Sequence, residues 1–211
     1  MLFLHQHKLR DRVVFCLRLL YCYVHFLNQE GDPTCYRGLE KIEFNFSTAD
    51  RFFYDYKTNT LTRKDRISPL PENFWADDLS QGTKTNIYNI NVLSGQNGSG
   101  KTTAIHYLID LLDGLHAAAD SSVKDIDRMK KRGLAGNRTL LLLEEAGERY
   151  LFDSEPLSVI RTGKLQTDGF SEDELHILHS KGDVWEKTKD SKPALDALLR
   201  TKIIYLTNAL N

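Results

Sequence analysis

The stretch "NVLSGQNGSGKTTAIHYL", residues 91–108, constrains this chain more than any other. A strand-like apolar run enters a glycine-rich turn, and a lysine and two threonines then open a run with helical spacing. Gly95-Gln96-Asn97-Gly98-Ser99-Gly100-Lys101-Thr102 matches G-x-x-x-x-G-K-[ST] without a gap. Gly95, Gly98 and Gly100 permit turns that a Cβ would obstruct, and they let the backbone come close to an anion. The amides of residues 98–102 then point inward as a nest, backed by the positive end of the new helix. Lys101 reaches β- and γ-phosphate oxygens as a mobile point charge. The Thr102 hydroxyl is placed to ligand Mg²⁺, and Thr103 helps hold the α-phosphate. The pattern and its strand–turn–helix setting predict nucleotide binding.

Hydrolysis asks for more than a grip. A second acid must orient Mg²⁺, and another group must position the attacking water. The tempting segment is "TLLLLEE", four leucines ending in Glu144 and Glu145. It imitates an apolar strand that ends in Asp-Glu. However, its first acid is Glu rather than Asp, and the chain continues directly into "AGERYLFD", a natural hairpin return. The hairpin is the expected structure, and the chain is expected to grip without cutting.

The 211 residues suffice for one α/β domain or a domain with a small appendage, and the 41 % apolar content permits a real core. Lys and Arg number 28 against 29 Asp and Glu, so no general attraction to nucleic acid or to an acidic membrane follows. Cys16, Cys22 and Cys35 form no CxxC pair and read as reduced, cytosolic thiols. The seven histidines show no zinc-site spacing, so no metal held by protein alone is expected. No Ser, Cys or His constellation supports nucleophilic catalysis. Near the N-terminus, the 15-residue run "VVFCLRLLYCYVHFL" follows Lys8, Arg10 and Arg12 and superficially resembles a signal or anchor. Arg18 interrupts it, no small-residue cleavage site follows, and it is too short to span a bilayer. A buried strand, or a strand preceded by a helical tail, is expected there.

Along the chain, "LLYCYVHFLN" alternates Leu20, Cys22, Val24 and Phe26 with Tyr21, Tyr23 and His25, as a strand does. "LEKIEFNFS" places Ile42, Phe44 and Phe46 on one face, and "RFFYDYKTNTLTRKDR" reads as two short strands around "KTNT". Residues 68–86, with Pro69, Pro71 and Gly82, read as an irregular connection, and "NIYNINVLS" as the strand that enters the loop. Ile105, Leu108, Ile109, Leu112 and Leu115 form the apolar face of a helix. Ser171 and Glu174 make a capping-box signature for a short helix, "SEDELHILHSK". "SKPALDALLR" predicts another, with Ser191 as its cap and Pro193 in its first turn. "KIIYLTNALN" is strand-like through Thr207. The expected architecture is mixed α/β, with antiparallel strands first and the strand–loop–helix unit at the centre of the sheet.

The loop variant "GQNGSGKTT" and the order of strands upstream of it resemble P-loop NTPases of the ABC-type head class, the SMC-, RecF- and OLD-like AAA family ATPases. The likeness runs from about residue 19 to 115 and continues weakly to "IIYLTNAL". It implies a tail over residues 1–18 and an ATPase first lobe over 19–211. It also implies that Gly98, Ser99, Gly100, Lys101, Thr102 and Thr103 hold ATP and Mg²⁺, with Asn97 near the γ-phosphate. Asn208 would stand near the position where such proteins sense Mg²⁺ and the partner lobe. ATP-driven pairing with a second copy or partner chain is implied for a whole head, as are roles in DNA maintenance or phage defence. An LSGGQ-like signature, an Asp-Glu acidic motif and a switch histidine are all absent, so the chain resembles a first lobe only.

Two rivals stand beside this expectation. One is a self-sufficient small NTPase or kinase that uses Glu144 or Glu145 as its metal-linked acid, although no arginine-rich lid is evident. The other is a nucleic-acid-binding module built on "VKDIDRMKKRG", where Lys124, Arg128, Lys130, Lys131 and Arg132 cluster. Asp125 and Asp127 interleave with those cations, as on an ordinary solvated helix face. Trp75 and Trp185 read as packing residues.

Overall fold

The computed structural model describes residues 2–3, 8–9, 12–13, 18–26, 39–47, 50–65, 90–91, 96, 99–121, 126–129, 137–166, 170–171, 174–201 and 204–205. In chain order the first elements are β1 (Leu2–Phe3), β2 (Lys8–Leu9), β3 (Arg12–Val13), β4 (Arg18–Phe26), β5 (Lys41–Asn45), β6 (Asp50–Asp55), β7 (Thr60–Asp65) and β8 (Ile90–Asn91). The helix α1 (Lys101–Ser121) and the single turn α2 (Ile126–Met129) follow. The second half holds β9 (Asn137–Glu145), β10 (Glu148–Asp153), β11 (Val159–Arg161), β12 (Lys164–Gln166), β13 (His176–Lys181), β14 (Val184–Lys187), α3 (Lys192–Leu199) and β15 (Ile204–Tyr205).

Seven strands form the main sheet in the order β12-β14-β13-β10-β9-β4-β5. All its pairings are antiparallel except β12 with β14, so the sheet is mixed. The run of leucines at 140–143 has a simple cause in this setting. Leu141 and Leu143 face the helices, Leu140 and Leu142 face a second sheet, and all four are fully buried. A strand covered on both sides needs apolar residues at every position rather than at alternate ones. Each buried leucine stabilises the fold by about 1.5–3 kcal/mol.

On one side, Ile105, Leu108, Leu112 and Leu115 of α1 and Ala194, Leu195 and Leu198 of α3 pack against Cys22, Val24, Leu141 and Ile177. Ile109, also expected on that helical face, packs there partly buried. On the other side lies the three-stranded sheet β11-β7-β6. Its Phe52, Leu61 and Ile160 meet Tyr21, Tyr23, Leu140, Leu142 and Leu178. The result is three layers, helices on sheet on sheet, with a separate core in each gap.

The β9–β10 hairpin turns at Ala146-Gly147, where the sequence placed it, and Glu145 pairs with Glu148. Both turn residues have positive φ, 52° at Ala146 and 87° at Gly147, which suits the right-handed twist of a two-residue hairpin. The β6–β7 pair and the β5 strand also match their sequence patterns, with Ile42, Phe44 and Phe46 on the helix-side core. The helix α3 begins as expected after Ser191, with Pro193 in its first turn. Its first amide is capped by Asp190, whose carboxylate accepts from the Lys192 N–H at 3.0 Å, rather than by the Ser191 hydroxyl.

Three expectations are corrected. Residues 176–181 form the strand β13, not a capped helix. The Ser171 signature yields only a turn, in which the Glu174 N–H donates to the Ser171 carbonyl at 3.4 Å. His176, Ile177 and Leu178 are buried on both faces between β10 and β14, and that pairing outweighs a local capping preference. Second, Leu20 does not share a face with Cys22. A bulge between Leu19 and Tyr21 shifts the register, so Leu19 joins the helix-side core and Leu20 joins the other. Third, β8, which leads toward the glycine loop, lies outside the main sheet. It pairs with β1 in the small sheet β15-β1-β8, while the leucine hairpin, with β9 buried on both faces, takes the centre of the main sheet. The connection expected over 68–86 lies outside the described residues.

Candidate phosphate-binding site

The head of α1 is built by Gln96, Ser99, Gly100, Lys101, Thr102 and Thr103; Gly95, Asn97, Gly98 and Asn208 lie outside the described residues. Gly100 has φ of +79°, and a Cβ there would stand 2.9 Å from the Leu39 side chain. The positive φ favours glycine here, and any side chain would also have to displace the Leu39 methyl. The helical ladder starts immediately, with the Ala104 N–H donating to the Gly100 carbonyl at 2.9 Å. The Ser99 N–H donates to the Gln96 carbonyl at 3.2 Å, which closes the turn.

Lys101 folds back over that turn. Its ammonium donates to the Gln96 carbonyl at 2.7 Å and to the Ser99 hydroxyl at 3.3 Å. The charge therefore sits above the loop it belongs to. Thr102 is exposed and Thr103 half-buried at the start of the helix. The first turn carries no acidic residue, so the positive end of a 21-residue helix is not offset by its own side chains. The first amides of any helix lack an intrahelical acceptor, and here they adjoin the lysine and the two threonine hydroxyls. Glycine backbone, ammonium, hydroxyls and open amides together make a donor set that fits a polyphosphate. Among the described residues, no group of three or more His, Cys, Asp or Glu is arranged to hold a metal ion. A divalent ion at this place would rest on Thr102 and on the phosphates themselves.

The acids of "TLLLLEE" are somewhere else. The start of α1 lies at the Phe26–Asn137 end of the main sheet. Gly100 meets Leu39 there, and further along the helix Tyr107 packs edge-on to Phe26 at 4.8 Å, with its hydroxyl 3.5 Å from Asn137. Glu144 and Glu145 stand at the other end of β9, roughly 25 Å from Asn137 at the usual rise of a strand. Both are already engaged. Arg149 holds Glu144 at 3.0 Å and reaches Asp50 at 2.9 Å, while Arg200 grips both oxygens of Glu145 at 2.7 Å. The structure does not bring either glutamate to the loop.

Of the basic cluster at 124–132, Arg128 is described and exposed on α2, and the remaining cations lie outside the described residues. Cys22 is a buried free thiol that burial pushes up to about 12, far from nucleophilic use. No helix among the described residues is long and apolar enough to cross a membrane.

Sequence reasoning passed over one charged centre. Arg138 and Asp153, 1 % and 0 % exposed, form an ion pair between the main sheet and the small one. The Arg138 guanidinium also donates to the Tyr54 hydroxyl at 2.8 Å, the Asn59 side-chain oxygen at 3.0 Å and the Glu155 carbonyl at 2.8 Å. Burial pushes the Asp153 carboxyl up to about 6, with Arg138 pulling it back. The signal was present, since Arg138 and Asp153 fall at near-mirror positions around the 146–147 turn. Seeing it required knowing that a second sheet would cover that end.

No protein-family model, no curated protein and no solved structure matches this chain.

Proposed function

We propose that this chain grips a nucleoside triphosphate, ATP with Mg²⁺, through the loop at 95–103, and that it is the binding lobe of a P-loop ATPase rather than a complete one. The observation that carries this is the turn at the head of α1. A glycine at positive φ, where a side chain would be strained, leads directly into a lysine whose ammonium is held over the loop. In the bound state, the backbone amides and Lys101 hold the β- and γ-phosphates, Thr102 takes one position on Mg²⁺, and Thr103 steadies the α-phosphate. Mg²⁺ supplies charge neutralisation across the phosphates. The placement of Glu144 and Glu145 disfavours a self-sufficient NTPase that would use them, and in this reading hydrolysis takes its acid and water-positioning group from missing segments or a partner chain. The likeness to ABC-type heads extends this to a protein of DNA maintenance or phage defence that pairs across its nucleotide.

The test is equilibrium binding of a fluorescent ATP analogue with Mg²⁺, alongside phosphate release, for the wild type and Lys101→Ala. Binding by the wild type that weakens at least about tenfold in the variant is expected; tenfold corresponds to about 1.4 kcal/mol, in the range of a charge-assisted hydrogen bond. Phosphate release is expected from neither. Absence of nucleotide binding by the wild type would overturn the proposal, and turnover by the wild type that Lys101→Ala abolishes would overturn its incompleteness.

A further inference from the structure

We propose that the outward face of the sheet β11-β7-β6 is a platform for single-stranded nucleic acid, on which Phe53 stacks against a base while Arg51, Lys64 and Arg161 hold phosphates. Strand alternation and register put these residues together. Phe52 and Leu61 point into the core, so Arg51, Phe53 and Asp55 point out, and across the ladder Arg51 faces Lys64 and Phe53 faces Thr62. The parallel partner β11 sets Arg161 beside Thr62 and Val159 beside Thr60 on the same face. Phe53 is 42 % exposed and Val159 40 %, and Arg51, Lys64 and Arg161 are all exposed.

The fold does not account for this arrangement. Like charges directly opposite one another across a ladder are destabilising, and Arg51 and Lys64 are such a pair. No carboxylate among the described residues forms an ion pair with Arg51, Lys64 or Arg161, whereas Asp50, on the inner face, engages both Arg63 and Arg149. Asp55 is the acid on the outward face. Its carboxylate is turned into the β6–β7 turn, accepting from the Lys57 N–H at 3.0 Å and the Thr58 hydroxyl at 2.7 Å. Three uncompensated cations therefore surround an exposed aromatic ring, and the Lys64 ammonium stands 5.7 Å from its centroid. In a chain of net charge −1 this is a local concentration of positive charge, complementary to a polyanion.

The aromatic ring selects among polyanions. A single strand offers phosphates to the cations and an open base to the ring, in the manner of stacking platforms generally. A duplex keeps its bases closed, and a sulfated polysaccharide or an acidic peptide has no flat π-face to offer Phe53. The platform lies on the opposite side of the main sheet from α1, whose head carries Gly100 and Lys101.

The test is fluorescence anisotropy of the full chain with labelled oligo(dT) of about 20 nucleotides, longer than one such platform covers. Phe53→Ala is expected to weaken binding about 5- to 150-fold, the usual loss for one stacked base, and Phe53→Trp to retain it. Replacing Arg51, Lys64 and Arg161 together by Gln should weaken binding further and reduce the slope of log affinity against log salt by about 2. Lys101→Ala should bind oligo(dT) like the wild type. Arg51, Phe53, Lys64 and Arg161 are exposed, and circular dichroism melts should confirm that the variants fold. Absence of salt-sensitive binding by the wild type would overturn the proposal. Equal loss of oligo(dT), duplex and heparin binding in the Gln variant, with Phe53→Ala unaffected, would overturn it too and leave an unspecific anion surface.

Discussion

The glycine loop at the head of α1 and the leucine hairpin β9–β10 both present side chains that nucleotide chemistry could use, and the fold treats them differently. At the hairpin the acids are consumed by structure: Arg149 and Arg200 hold Glu144 and Glu145, and four leucines bury both faces behind them. At the loop, Lys101 engages its own turn through a backbone carbonyl and a hydroxyl. A phosphate oxygen would offer a charged acceptor, adding charge–charge attraction to bonds that the ammonium already assists.

The largest expected effect breaks the structural region. Arg138→Ala should cost about 3–5 kcal/mol in urea unfolding, since it strands a buried carboxylate. Arg138→Met combined with Asp153→Leu should recover most of that loss, and failure to recover would show that the contacts to Tyr54 and Asn59 matter more than the ion pair. Lys101→Ala, by contrast, leaves the core intact and should cost no more than about 1.5 kcal/mol, the usual net worth of a lost hydrogen bond.

A smaller effect follows from the raised Asp153 carboxyl. With a folded value of about 6 and an unfolded value of about 3.9, the folded state takes up the proton first as pH falls. The stability of the wild type relative to Asp153→Asn should therefore be highest below about pH 4 and decline as pH rises through 6, by on the order of 2–3 kcal/mol. A flat difference between pH 4 and 7 would mean that Arg138 keeps the carboxylate ionised throughout.

Glu145→Gln sharpens the comparison from the other side. It should lower stability by less than about 1 kcal/mol, because the Arg200 pair is partly exposed, and leave nucleotide binding unchanged. A tenfold change in nucleotide affinity would return Glu145 to the phosphate site. The smallest effect is a gain. Ala146 holds a φ of 52°, so Ala146→Gly should raise stability by about 0.5–1 kcal/mol, read as a higher melting temperature.

Much of the fold was legible because its signals are local. The alternation of "KIEFN", the turn at 146–147 and the proline-led start of α3 each depend on a few neighbouring residues. The misjudged segment at 176–181 shows where local signals lose. A capping box contributes about 1 kcal/mol, and three residues buried between two strands contribute more. The bulge at Leu19–Tyr21 left no trace in the alternation, because the strand is apolar on both faces and either register buries it. At the candidate site the spacing predicted a turn into a helix, and the structure shows that turn from Ser99 and Gly100 into α1.

By itself, the sequence determined the mixed α/β class, the leucine hairpin and the loop whose chemistry suits a phosphate. Only the tertiary structure decided that Glu144 and Glu145 stand at the end of the sheet away from that loop, that Arg138 and Asp153 are buried together, and that Arg51, Phe53, Lys64 and Arg161 share one open face. The physical reason is the same in each case. Spacing along a chain fixes which face of an element a residue occupies, but distance between elements depends on which strands pair and in what order, and that is settled by burying apolar surface over the whole molecule.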